Sequence, residues 1–207
     1  MENMKLEKAL EELKKSKERK FDQSIELIVN LKKFDARKTQ INTFVQLPHK
    51  IKDKKICGFV EGKSDLVEVI PKKNFPIYKD KKKVKKLVAK FDFFIASGPN
   101  MPAVATTFGR VLGPAGKMPS PKMGVIMQES EEEIKKLVEK INKAIRIQAK
   151  EPSIKIAVGK QSMKNEDIIE NIKKVYKSIL VELPLGKENL KNIMIKLTMS
   201  APLGVEI

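Results

Sequence analysis

Between residues 24 and 31 the chain alternates, with Ile25, Leu27, Val29 and Leu31 on one side and Ser24, Glu26 and Asn30 on the other. A period of two predicts a half-buried strand. The same alternation returns over 39–47, where Ile41, Thr43, Val45 and Leu47 oppose Gln40, Asn42, Phe44 and Gln46, and again over 153–158 and 192–198. The segment KKFDARKT between the first two reads as a turn. Helical spacing brackets these strands. Leu6, Ala9, Leu10 and Leu13 predict an amphipathic helix over 6–20, and Ile168, Ile172, Val175, Tyr176 and Ile179 predict another, capped by Asn165.

From residue 54 the pattern changes to uninterrupted apolar runs alternating with helices, the habit of a parallel sheet covered on both faces. Strands are predicted at 56–60, 66–70, 93–96 and 124–127, and helices at 84–90 and after Pro99. A further helix opens on the capping box Ser130/Glu133 and continues through Ile134, Leu137, Val138, Ile141 and Ile145. Two N-terminal strands with one helix are too few to stand alone, and the C-terminal strand–helix–strand falls short in the same way. Together they supply four strands and two helices. The predicted organisation is therefore a discontinuous first domain, 1–52 with 150–207, and an inserted second domain, 53–149.

One stretch resists both periods. Residues 97–124 hold five of the ten glycines, five of the eleven prolines and no acid. That density predicts a shaped loop rather than a long regular element after about Phe108. Gly109, Gly113, Gly116 and Lys117 approximate a phosphate-binding GxxxxGK[ST] loop, yet Val111 stands where its first glycine belongs and Met118 where its hydroxyl belongs. The dinucleotide spacing GxGxxG fails as well.

Composition narrows the choice of function. Forty-three Lys and Arg against twenty-six Asp and Glu give +17, which favours a polyanion, nucleic acid before membrane. The surplus divides almost evenly between the two predicted domains. No apolar run of about 18 residues exists, and the first residues, MENMKLEKAL, carry acids where a secretory signal needs an apolar stretch. A soluble intracellular protein is expected, with no membrane partner; the helix near 81–90 comes closest to a membrane-docking one. His49 and Cys57 are the only residues of their kinds and fall in different predicted domains. Neither a nucleophile–base pair nor a His/Cys metal cluster can be assembled from them, so no catalytic residue, metal or cofactor is expected. Three glutamates at 131–133 suit a helix's first turn. The remaining enzymatic alternative is a ligand phosphate held by the loop 109–117.

Nucleic-acid chemistry has firmer candidates. Alternation places Ser24 and Glu26 with Asn192, Lys196 and Thr198 on the open face of the first domain's sheet, groups able to bond ribose hydroxyls and base edges. Phe21 lies just outside the strand, where its residue type favours a core plug. In the second domain Arg110, Lys117 and Lys122 are the basic residues of the glycine–proline stretch.

The segment GRVLGPAGKMPSPKMG, preceded by DFFIASGPNMPAV, resembles the signature of the ribosomal protein L-one family, the lateral stalk protein of the large subunit. FDQSIELIVNL, VQLPH, AVGKQSM, NEDIIENIKKVY and IKLTMS extend the similarity over nearly the whole chain, in an archaeal style. The resemblance implies an RNA site made by Phe21, Ser24 and Glu26 with Thr198 and Met199, and with Lys20 as basic neighbour. Ser200 stands where the family has glycine, so Ser200→Gly is expected to tighten binding. It further implies an α/β fold of two domains, joined by a double hinge. The first is a split α+β two-layer sandwich with a four-stranded antiparallel sheet; the second is an inserted Rossmann-like three-layer α/β domain with a parallel sheet. The implied partners are large-subunit rRNA, exit-site transfer RNA and an operator on the protein's own messenger RNA. The free protein is expected to be a monomer, and the bound one cytoplasmic and ribosome-associated.

Overall fold

The computed structural model describes residues 4–16, 19–35, 39, 41–62, 64, 66–127, 129–149 and 151–206. The chain packs as two compact units, one formed by residues 1–51 with 143–207 and the other by 52–142.

In the first unit the predicted alternation is realised in β2 (Ser24–Leu31), whose Ile25, Leu27, Val29 and Leu31 are buried while the intervening residues are half-exposed. β2 pairs antiparallel with β9 (Ser153–Lys160) on one side and with β10 (Leu190–Leu197) on the other. The sheet then extends through β11 (Leu203–Glu206), antiparallel to β10, and β1 (Met4–Lys5), parallel to β11. One face is closed by α1 (Leu6–Lys14) and α5 (Asn165–Glu182). Leu6, Ala9, Leu10 and Leu13 join Ile168, Ile172, Val175 and Ile179 over Ile25, Leu27, Ile154, Val158, Ile195 and Leu197 in one apolar core. Each such side chain taken from water contributes about 1.5–3 kcal/mol, which is why the alternation dictates the face. The other face is left open. α1 ends six residues before the predicted limit at residue 20; residues 17 and 18 lie outside the description, as do 36–38 and 40 from the predicted turn and the start of the second strand.

The sheet departs from the expected four antiparallel strands. β3 (Ile41–Gln46) does not join it but pairs with β8 (Ala144–Ala149) in a separate two-stranded ribbon, from Ile41 opposite Ala149 to Gln46 opposite Ala144. Spacing predicts residues 144–149 in the second domain and Ile145 in the helix that forms α4 (Glu131–Lys143). That helix stops at Lys143, and the chain turns into the strand. Ile145 sits four residues after Ile141 and so mimics a helical repeat. Cross-strand pairing that buries Ile147 and Ala149 beside Ile41 and Val45 decides otherwise.

The second unit holds a four-stranded sheet in the order β5 (Glu68–Val69), β4 (Ile56–Phe59), β6 (Phe93–Ser97), β7 (Val125–Ile126), with every pairing parallel. α2 (Lys81–Lys90) and α3 (Met101–Ala115) pack against one another over Cys57, Phe59, Phe94 and Ala96. The centre is aromatic. Phe59 stacks on Phe94 at 5.7 Å, and the Phe108 ring lies 4.7 Å from Phe59 and edge-on to Phe75 at 5.2 Å.

The glycine–proline stretch is mostly helix, contrary to the loop expected beyond Phe108. α3 continues to Ala115 because Val104, Phe108 and Leu112 form one fully buried stripe, while Gly109 and Gly113 lie on the outer side where nothing approaches. Pro114 stands one residue before the helix end. Gly116, at φ 68°, caps the helix, its N–H donating to the Gly113 carbonyl. Gly124 is the constrained position: at φ 119°, a Cβ there would lie 3.0 Å from the Phe94 carbonyl oxygen. Gly124→Ala should therefore destabilise the second unit by about 1–3 kcal/mol, measured by thermal unfolding.

Candidate nucleic-acid interface

At the end of the open face where β2 begins and β10 ends, the two strands are laced by a hydroxyl. Thr198 N–H donates to the Ser24 carbonyl at 3.1 Å, and the Thr198 Oγ1 accepts from Ser24 N–H at 3.1 Å. One step further along, Lys196 stands opposite Glu26. Beyond Thr198 the chain turns at Met199, and the turn is fixed from two sides. The carboxamide of Gln23, only 2% exposed, accepts from Met199 N–H at 3.1 Å and donates to Gln161 Oε1 at 3.2 Å. Ser200 accepts from Leu197 N–H at 2.9 Å and its hydroxyl lies 3.1 Å from the Ala201 carbonyl.

These bonds present two apolar side chains to solvent. Phe21 is 53% exposed and Met199 is 60% exposed. Phe21 is therefore not the core plug that its residue type favoured; its neighbours Asp22 and Gln23 are tied down instead. Asp22 accepts from Ser162 N–H at 3.1 Å and from Ser162 Oγ at 2.9 Å, and pairs with Lys160 Nζ at 3.3 Å. Burial pushes the Asp22 carboxyl up, but the bonds from Ser162 and Lys160 outweigh it and hold it below its ordinary range. Arg19, Lys20, Phe21, Asp22, Gln161 and Ser162 line an open recess of about 400 Å³. A basic rim and a solvent-facing ring suit a ribose–phosphate with its base.

The structure thus gathers Lys20, Phe21, Ser24, Glu26, Lys196, Thr198, Met199 and Ser200 at one end of the sheet, and sets Asn192 apart. At about 3.3 Å per residue, the six positions from Asn192 to Thr198 span roughly 20 Å. Asn192 joins a second polar cluster, accepting from Asn30 Nδ2 at 2.8 Å, while Ser153 Oγ donates to Asn30 Oδ1 at 2.8 Å. Asn30, which the alternation already puts on this face, and Ser153 thus complete a polar cluster apart from the Thr198 end. Gln23 and Asp22 carry no such sign, since nothing local distinguishes a buried glutamine from a surface one.

The backbone at Ser200 is unstrained. Lys33, at φ 53°, is the one described non-glycine residue with positive φ, so Ser200 occupies ordinary backbone space. Its hydroxyl satisfies the turn rather than straining it. Ser200→Gly should accordingly weaken RNA binding two- to fivefold through a looser Met199 turn, equivalent to about 0.5–1 kcal/mol, and a filter-binding titration measures this.

In the second unit Arg110 is exposed on α3, and Lys122 is exposed at the tip of a tight turn closed by mutual Ser120–Met123 backbone bonds. Lys117 is spoken for. Its Nζ donates to the Val88 and Phe91 carbonyls at 2.8 and 2.7 Å, neutralising the C-terminus of α2. It is therefore no phosphate ligand, and residues 109–115 form a helix rather than a cradle. At the opposite, C-terminal edge of the parallel strands, where α/β sheets commonly take ligands, the Glu61 and Gly62 N–H groups donate to the Glu129 carboxylate at 3.0 and 3.1 Å. Burial pushes Glu129 up, but bonds from Ser97, Gly62 and Glu61 hold it below the usual range, so an internal anion fills that place. Cys57 is buried, and burial pushes its thiol up to about 12, which leaves it inert.

The profile of the ribosomal protein L1p/L10e family matches residues 13–201. The large ribosomal subunit protein uL1 of Pyrococcus horikoshii is 34% identical over 99% of this chain and 97% of its own length. The uL1 proteins of Pyrobaculum calidifontis and Thermococcus kodakarensis are also 34% identical, over 97% and 99% of this chain and over 92% and 98% of their own.

Proposed function

The chain belongs to the ribosomal protein L1p/L10e family, and on that premise we propose that it is a structural, non-enzymatic constituent of the large ribosomal subunit that binds rRNA through the open face of its first unit. The observation carrying this reading is the Ser24–Thr198 lacing beside exposed Phe21 and Met199. The sheet end presents hydroxyls, a carboxylate and an ammonium in fixed register, with two apolar side chains raised beside them. Bonds of this kind read ribose hydroxyls and base edges, and Phe21 supplies a stacking surface. Lys20 and Arg19 supply phosphate contacts that any RNA shares.

Within this reading the protein is cytoplasmic and ribosome-associated, a monomer when free, and works at the mobile lateral stalk. There it assists the release of exit-site transfer RNA, and it represses translation by binding an operator on its own messenger RNA that imitates the rRNA site. Arg110 and Lys122 are the second-unit residues exposed for contacts of this kind.

Thr198→Val tests the central point. The substitution keeps the β-branched shape and leaves Ser24 N–H without its partner, so affinity for a cognate large-subunit rRNA fragment should fall by about 10- to 100-fold, or roughly 1.4–3 kcal/mol. Retained affinity in a filter-binding assay would show that RNA lies elsewhere. Expression of a reporter behind the messenger's leader, with and without the protein, tests the repressor role separately.

A further inference from the structure

We infer that the outer face of α2 is a second, sequence-independent binding surface for RNA phosphates, separate from the sheet face. The distribution of charge carries this. In residues 52–142 nineteen bases meet eleven acids, and nine of those bases with a single acid fall within residues 72–90. What remains of the unit is ten bases and ten acids, which is neutral. The whole +8 of the second unit thus lies on one helix and the segment leading into it.

The other charged helices are internally compensated. α4 sets Lys135, Lys136, Lys140 and Lys143 against four glutamates, and α5 mixes lysines with Glu166, Asp167, Glu170 and Glu182. α2 reads KKKVKKLVAK, with six lysines and no acid, all six exposed. The two carboxylates at its ends are already engaged. Asp80 caps the helix by accepting from Lys82 N–H at 2.8 Å, and Glu68 pairs with Lys90 at 2.6 Å. Among the described residues, Lys81, Lys82, Lys83, Lys85 and Lys86 have no carboxylate within ion-pair distance.

The arrangement works against the helix that bears it. Three lysines occupy the first turn, where the macrodipole is already positive, and Lys81/Lys85 and Lys82/Lys86 are like-charged pairs at the i, i+4 spacing. Val84, Leu87 and Val88 hold α2 to the core, so the fold does not need the lysines, and their mutual repulsion is relieved only when a polyanion is bound. The same burial selects the partner. α2 keeps no apolar face free to enter lipid, whereas a nucleic-acid backbone offers phosphates without requiring insertion. The surface does not depend on the sheet-face reading, and the test separates the two.

The test uses the full-length protein, a labelled 20-base-pair duplex RNA of arbitrary sequence and anionic phosphatidylserine vesicles. Lys81, Lys82, Lys85 and Lys86 are replaced together by glutamine, which favours the helix, and in a control by arginine. The glutamine variant should bind the duplex at least tenfold more weakly at 50 mM KCl, with the slope of log K against log[salt] shallower by about 2–3. The arginine variant should bind as the parent does, glutamine at Lys135, Lys136 and Lys140 of α4 should leave duplex binding unchanged, and the α2 glutamine variant should still bind a cognate large-subunit rRNA fragment in preference to the duplex. The melting temperature of the glutamine variant should equal or exceed the parent's. The inference is overturned if the α2 glutamine variant keeps its affinity and slope, if its melting temperature falls, if the α4 variant loses as much duplex affinity as the α2 variant, or if the parent binds vesicles and not the duplex.

Discussion

Excising residues 53–142 and joining the ends through a short Gly/Ser linker should leave a folded protein that keeps its preference for cognate rRNA. The second unit is entered and left side by side, since Lys54 N–H donates to Asn142 Oδ1 at 3.0 Å and Lys54 Nζ to the Ile141 carbonyl at 2.8 Å, so a few residues span the gap. The first unit's core is complete without the insertion. Moving the cut from 142 to 149 should have the opposite result. It removes β8, strips β3 of its pairing partner and takes fully buried Ile147 and nearly buried Ala149 from the core. One large buried aliphatic costs about 2–5 kcal/mol to delete, and the unpaired edge of β3 adds to it, which approaches the entire stability of a small domain. Circular dichroism and thermal melts distinguish a folded short excision from an unfolded long one. A long excision that still melts cooperatively would show that β8 is dispensable.

Phe108→Ala should cost the second unit about 3–5 kcal/mol while leaving the sheet-face site intact. Phe108 is fully buried and its ring meets Phe59, Phe75 and Tyr78 between 4.7 and 5.6 Å, so truncation removes its transfer energy and leaves a cavity among rings that cannot collapse into it. Two melting transitions are expected, with only one shifted down by the substitution. Affinity for the cognate rRNA fragment should change little. A single shifted transition, accompanied by loss of specific binding, would show that the first unit does not hold its site by itself.

The legible part of this protein is the part where one neighbour shell decides. In β2 the alternation of Ile25, Leu27, Val29 and Leu31 leaves a single face that can be buried, and the structure buries it. The same holds for the helical stripes of α1 and α5. Ser24, Glu26, Lys196 and Thr198 could be placed on the open face because the faces of a strand are fixed by its period. Pairing partners are a different matter. Nothing in the residues of β3 says whether it joins β2 or β8, because the same alternation satisfies either, and Ile145 fits a helix as well as a strand. The basic run of 72–90 is readable in the sequence too, but only the structure shows that all six lysines of α2 face solvent.

Residue types and periods by themselves determined the alternating strand β2, the helical stripes of α1 and α5 and the apolar faces of all three, since each depends on side-chain chemistry and local geometry. Only the tertiary structure decided that Gly109 and Gly113 sit inside a helix, because Val104, Phe108 and Leu112 gain more from one buried stripe than two helical glycines lose. It alone turned Lys117 inward to the carbonyls of α2, fixed Met199 through buried Gln23, and raised Phe21 into solvent. Such choices rest on contacts between residues far apart in the chain, and their energies exist only once those residues have been brought together.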